Sequence, residues 1–121
     1  MTDASEIHKA IMAHVTWKVR IHEAIETGSS DFRPEVVMLG NVCDLGRWLY
    51  SLPHEEQSGE YWKKTEQIHA KFHIIAGQIM KLALGGKPQE ALVLMTDLKG
   101  EFVTTSKLLT QTLHEWEISI S

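Results

Sequence analysis

Four residues of this chain are metal ligands by type and break runs that otherwise read as apolar core: His14, Cys43, His69 and His73. His69 and His73 are four apart, about one helical turn, so both imidazoles project from one face and can serve one ion without distorting the backbone. His14 lies between Ile11 and Lys18, and Cys43 follows Leu39 by one turn. Each sits in the seam of a different segment, so neighbouring helices could complete a tetrahedron. Three imidazoles and one thiolate form a borderline-soft donor set that suits zinc.

The plain alternative is packing. A histidine in a helix seam is commonly a core residue with a satisfied hydrogen bond, and a lone cysteine is commonly a small buried hydrophobe. Pairs of histidines four apart also arise by chance. All four seam exceptions are zinc ligands by type, but spacing alone leaves both readings open.

The elements that would position these residues are helices. Turn chemistry marks three breaks: Gly28-Ser29-Ser30-Asp31 with Arg33-Pro34, then Ser51-Leu52-Pro53, then Gly85-Gly86-Lys87-Pro88. Ser58-Gly59 can extend the second. Between the breaks the apolar period is helical. The first segment carries Ile7, Ile11, His14, Lys18, Ile21 and Ile25; the second carries Val36, Leu39, Cys43, Gly46 and Tyr50. The third has two adjoining stripes, Ile68, Phe72, Ile75, Ile79 and Leu82 beside Trp62, His69, His73, Ala76, Met80 and Ala83, which predicts burial on more than one side. The fourth reads Ala91, Met95, Leu98, Phe102, Thr105, Leu109 and Trp116. No segment reads as a strand. Long helices joined by short loops predict an all-α, antiparallel four-helix bundle, with residues 1–121 as a single domain.

Composition narrows the function classes. A chain of 121 residues with 43% hydrophobic content can bury an ordinary core. Its 12 basic residues are scattered and outnumbered by 16 acidic ones, so no surface is built to neutralise phosphates, and nucleic acid is not an expected partner. No apolar run approaches the ~20 residues of a membrane span, and the N-terminus does not read as a signal peptide. One cysteine excludes an internal disulfide and suits a reducing compartment, so the expected location is the cytoplasm.

Three strings extend the ligand set into a longer pattern: His14-Val15-Thr16-Trp17, Cys43-Asp44-Leu45-Gly46-Arg47-Trp48 and His69-Ala70-Lys71-Phe72-His73. Together they resemble the chemoreceptor zinc-binding domain, or CZB, family, whose signature is His-x-x-Trp, Cys-x-Leu-Gly-x-Trp and His-x-x-x-His. The resemblance spans residues 14 to 73; the fourth helix carries no motif of its own. It implies a helical bundle, often a homodimer, with zinc on His14, Cys43, His69 and His73. It also implies a role in bacterial signalling and chemotaxis, beside chemoreceptor or diguanylate cyclase outputs, reporting zinc availability or oxidant exposure. No output domain is recognisable within the 121 residues. Gly46, on the face of Cys43, is expected to leave room for the metal or a facing helix. Trp17 and Trp48 are expected either to shield the site or simply to pack, and Leu45 to be core.

Such a site needs Cys43 as thiolate and its imidazoles neutral, so acid weakens binding, and oxidation of an exposed sulfur would remove one ligand. Zinc as a mere structural staple is the bland version of the same site. Two other classes compete. A hemerythrin-like di-iron oxygen binder would use His22 and Glu26 with His69 and His73, but His22 lies about 80° around the helix from His14, and Cys43 stands where that class needs a His/Glu set. The fourth helix offers it only Asp97, Glu101 and His114. A hydrolase would keep an open position beside His14, His69 and His73; Glu66, one turn before His69, is the nearest carboxylate in sequence. His8, His54 and His114 read as surface residues, and His22 as more exposed than functional.

Overall fold

The computed structural model describes residues 3–39 and 43–120, and every regular element among them is helical. The helices are α1 (Ala4–Thr27), α2 (Pro34–Leu39), α3 (Asp44–Ser51), α4 (His54–Gln57), α5 (Glu60–Leu84), α6 (Pro88–Thr96) and α7 (Glu101–Ile120).

Local chemistry sets the ends. Asp3 caps α1 by accepting from the Glu6 amide at 2.9 Å, and the Glu6 carboxylate accepts from the Asp3 amide at 2.9 Å. Gly28 closes the same helix at φ 72°, in the left-handed region where a Cβ is strained. Gly86, at φ 82°, turns the chain after α5, and the Lys87 amide returns to the Leu82 carbonyl at 2.9 Å. Pro34 and Pro88 open α2 and α6, where a missing amide proton costs nothing.

The all-helical expectation holds, but two of the four expected helices are broken. The second divides into α2 and α3, with Cys43 as the N-cap of α3 in an extended conformation (φ −89°, ψ 153°). The seam shifts in phase accordingly. Val37 is fully buried in place of Val36, while Leu39 and Tyr50 are 68% and 51% exposed. The fourth breaks between α6 and α7. The Asp97 carboxylate accepts from the Lys99 amide at 3.0 Å and the Asp97 carbonyl from the Gly100 amide at 2.9 Å. That turn competes with helix and leaves Leu98 83% exposed.

Helix α5 is the centre. Ile68, Phe72, Ile75 and Ile79 on one stripe and His69, His73, Ala76, Met80 and Ala83 on the other are buried, as the double stripe predicts, whereas Leu82 and Trp62 are only half-buried. It packs against α1, α2, α6 and α7, with lesser contact to α3 and α4. Contacts fix two directions. Val37 meets His73, Cys43 meets His69 and the Leu49 carbonyl accepts from Trp62 Nε1, so α2 and α3 run antiparallel to α5. Phe72 meets Phe102 and Tyr61 meets Trp116, so α7 does too.

Gly77 makes the closest part of this seam possible. A Cβ there would meet the Met38 side chain and lie 2.9 Å from the Pro34 carbonyl oxygen, so α2 could not hold its present distance. Met38 can rotate; the Pro34 carbonyl is backbone and cannot. Gly77→Ala is therefore expected to destabilise the fold by about 1–3 kcal/mol, as overpacking does. Chemical denaturation measures this, with exposed Gln78→Ala as a control of no effect; equal stability of the two variants would show that α2 shifts freely.

Candidate metal centre

His69 and His73 rise from the middle of α5, one turn apart, and Gly77 follows on the same face another turn later. The antiparallel seam sets one group of the α2–α3 strand opposite each. Pro34 and Met38 face Gly77, the Val37 carbonyl faces His73, and the Cys43 sulfur faces His69.

The polar contacts assign roles to individual atoms. His73 Nδ1 lies 3.0 Å from the Val37 carbonyl oxygen. A carbonyl only accepts, so Nδ1 carries the proton and Nε2 keeps the lone pair. His69 Nε2 lies 3.1 Å from Cys43 Sγ, and the Gly46 amide donates to the same sulfur at 3.2 Å. One ligand atom from each of Cys43, His69 and His73 fits within 4.8 Å of the others, and all three residues are buried. The edges of a tetrahedral zinc site with Zn–N near 2.0–2.1 Å and Zn–S near 2.3 Å are about 3.3–3.8 Å long. The 4.8 Å span lies somewhat above those edges and the 3.1 Å Cys43–His69 contact slightly below, so small shifts of both kinds bring the cluster to that size.

His14 is equally buried, at 3% exposure, but does not join that cluster. Its Nε2 lies 2.8 Å from Ser106 Oγ on α7, and its ring meets Phe72 edge-on at 4.5 Å. Phe72 in turn lies 5.4 Å from His73, and His14 is near enough to His69 and His73 to interact with both electrostatically.

Burial dominates the electrostatics. It pushes His14 and His69 down to about 3, with nearby Lys18 acting further on His14 and His73 acting further on His69. His73 falls to about 4, because the Val37 carbonyl supports its protonated form and offsets part of the burial. Burial pushes the Cys43 thiol up, opposed by the Gly46 and Leu45 amides at the start of α3. Neutral imidazoles present lone pairs without first losing a proton. The thiol needs a cation to ionise in this setting, and a metal supplies it.

The other sequence-marked residues fall as follows. Trp17 is buried with its ring 5.3 Å from His73, walling the site. Trp48 packs on Trp116 at 5.4 Å, and Leu45 is buried core. The visible task of Gly46 is its amide on sulfur. Glu66 accepts from the Tyr50 hydroxyl at 3.1 Å at the surface, and no carboxylate joins the cluster among the described residues. His22 and Glu26 pair with each other at 3.4 Å, 48% and 64% exposed, outside the core a di-iron site would need. His8, His54 and His114 are exposed.

Three contributors carried little sequence signal. The Val37 carbonyl is backbone and has none. Gly77, a glycine inside a helical stripe, and Ser106, a hydroxyl between Phe102 and Leu109 in the α7 seam, each break an apolar pattern and could have been marked.

A buried Cys/His cluster held by helices defines a small metal-binding helical module. The chemoreceptor zinc-binding domain model matches residues 14–80, and the chain belongs to that family. Its cofactor is zinc, and the donors present fit that ion. Comparison with curated proteins and with solved structures returns no match.

The lowered histidines fix the pH response of the metal-free protein. In the unfolded chain each imidazole takes a proton near 6.5, whereas the folded core resists until about 3–4. Stability is therefore fully present above about 6.5 and is lost progressively as pH falls toward 4. Cys43 acts in the other sense: the unfolded thiol ionises near 9.0 and the folded one later, so stability also declines at more alkaline pH. Thermal melts of chelator-treated protein are expected to peak between these limits. A midpoint that does not fall between pH 7 and 4.5 would contradict the burial of neutral imidazoles.

Proposed function

We propose that the chain is a zinc-responsive regulatory module of bacterial signalling, holding one zinc through His14, Cys43, His69 and His73. The observation that carries this reading is the convergence of three buried donors within 4.8 Å, with a fourth buried imidazole beside them. Burial keeps the imidazoles neutral, the Gly46 amide holds the sulfur, and the Val37 carbonyl sets the His73 tautomer. Zinc, when bound, compensates the thiolate charge and joins α1, the start of α3 and α5.

Four protein donors leave no open coordination position, which favours sensing over catalysis. With Cys43 only 1% exposed, an oxidant reaches the sulfur once the centre opens, so loss of zinc and oxidation reinforce each other. On this reading residues 1–121 act as one unit. Joined α2–α3 and α6–α7 serve as the second and fourth members of an antiparallel four-helix bundle. A cytoplasmic homodimer passes the change in packing to a chemoreceptor-type or cyclase-type output. Among the described residues no helix is long and apolar enough to cross a membrane.

The test is metal content, by mass spectrometry, of protein purified without added metal. About one zinc per chain is expected in the parent, with a large loss in Cys43→Ala and in His14→Ala. Full retention in Cys43→Ala would leave a three-histidine site with an open position and turn the reading toward catalysis. Hydrogen exchange of zinc-loaded and chelator-treated protein then separates sensor from staple. A sensor loosens α1 and α3 on zinc removal while the rest stays folded; a staple unfolds as a whole.

A further inference from the structure

We infer that Ser106, on α7, is the positioning residue for His14. Its hydroxyl holds the Nε2 proton of that ring and leaves Nδ1 as the nitrogen available to zinc. The inference rests on the four-ligand reading above. Ser106 lies beyond the span that the family match covers, so nothing in that match assigns it a role.

The geometry is specific. Ser106 and His14 are 4% and 3% exposed, on helices joined at this point by an Nε2–Oγ distance of 2.8 Å. A buried imidazole held by a hydroxyl at that distance has its ring rotation restrained by it, because breaking the bond strands two buried polar groups; the hydroxyl can donate or accept, and with zinc on Nδ1 the proton lies on Nε2 and the hydroxyl accepts it. Phe72 closes the ring in from α5 at 4.5 Å and offers no competing acceptor. His73 shows the same arrangement with the nitrogens exchanged: Nδ1–H donates to the Val37 carbonyl, and Nε2 is the lone-pair nitrogen. On this assignment the two histidines present opposite tautomers to the metal, His73 fixed by the Val37 carbonyl and His14 held by a hydroxyl that accepts from Nε2 when Nδ1 binds zinc.

This gives α7 a part in the site without a ligand of its own. The hydroxyl ties the His14 position to α7, so helix packing and ligand placement are adjusted together.

Ring nitrogens of the zinc-loaded, 15N-histidine-labelled protein report the tautomers directly by long-range proton–nitrogen correlation. The parent is expected to show His14 protonated at Nε2 and metal-bound at Nδ1, with His73 the reverse. Competition against a chromophoric chelator should show zinc binding weakened about 10–100-fold in Ser106→Ala, in the range seen when a partner of a metal-bound histidine is removed. Ser106→Thr, which keeps the hydroxyl, should restore most of the loss. Metal bound at His14 Nε2 in the parent overturns the assignment, as does parent-like zinc affinity in Ser106→Ala. If Ser106→Ala does not fold, the parent spectrum alone decides. Parent-like zinc affinity in His14→Ala would instead remove the four-ligand reading on which the assignment stands.

Discussion

Across the seam between α2 and α5, His73 donates its Nδ1 proton to the Val37 carbonyl over 3.0 Å. That bond requires a carbonyl at the end of a short helix to approach a buried imidazole. The approach in turn requires Gly77 one turn further along α5, where any side chain would meet Pro34 and Met38. With α2 fixed there, the chain reaches Cys43 opposite His69, and α3 begins with sulfur as its N-cap. The break in the second helix is therefore part of the site. A continuous helix would place Cys43 mid-helix, with its amide and carbonyl committed to the ladder and its side chain directed by the 3.6-residue repeat. As an N-cap the residue is extended, and its sulfur receives the Gly46 amide while it faces the histidines.

The same packing makes the site costly without metal. Three imidazoles and a thiol occupy positions that would stabilise the core more as leucine or valine, since buried polar groups lose their hydration. Hydrogen bonds recover part of this: Val37 serves His73, Ser106 serves His14, and Cys43 serves His69. These contacts engage one nitrogen of each ring. A cation offsets the remainder, so zinc binding and the stability of the folded state are one linked equilibrium.

How much of this was legible in the sequence follows from where each signal resides. Helix α5 was readable because its two stripes are made of side chains at a regular period, and burial of both faces followed. The pair His69 and His73 was readable for the same reason. The breaks at Cys43 and at Asp97 were not, because the apolar rhythm runs across both. At Cys43 the visible contacts are tertiary and local: its sulfur faces His69 and accepts from the Gly46 amide, and no apolar period encodes either. At Asp97 the deciding term is local, a side-chain turn that wins over a helical register whose Leu98 had nothing to pack against. The role of the Val37 carbonyl lies in no side chain at all. His14 was correctly marked as buried and polar, yet its hydrogen-bond partner sits 92 residues away on α7, and no spacing rule reaches that far.

A regulatory module needs a metal that holds together elements with some freedom to part. On the proposed four-ligand reading the donors would lie on α1, the start of α3 and α5, and the Ser106 contact brings in α7. Helix α5 is buried on both stripes and behaves as the fixed member. Helix α3 has eight residues, too few to be stable alone, and is held by buried Leu45 and Leu49 together with the contacts of its N-cap sulfur. Helix α1 is longer and independently capped, and its proposed link to the metal would run through one imidazole that also contacts a hydroxyl. On that reading, removing zinc would release α3 and re-set α1 against α7 while leaving α5 and its apolar contacts in place. That division between a fixed core and a ligand-dependent edge is what allows metal occupancy to be read as a change in shape rather than as unfolding.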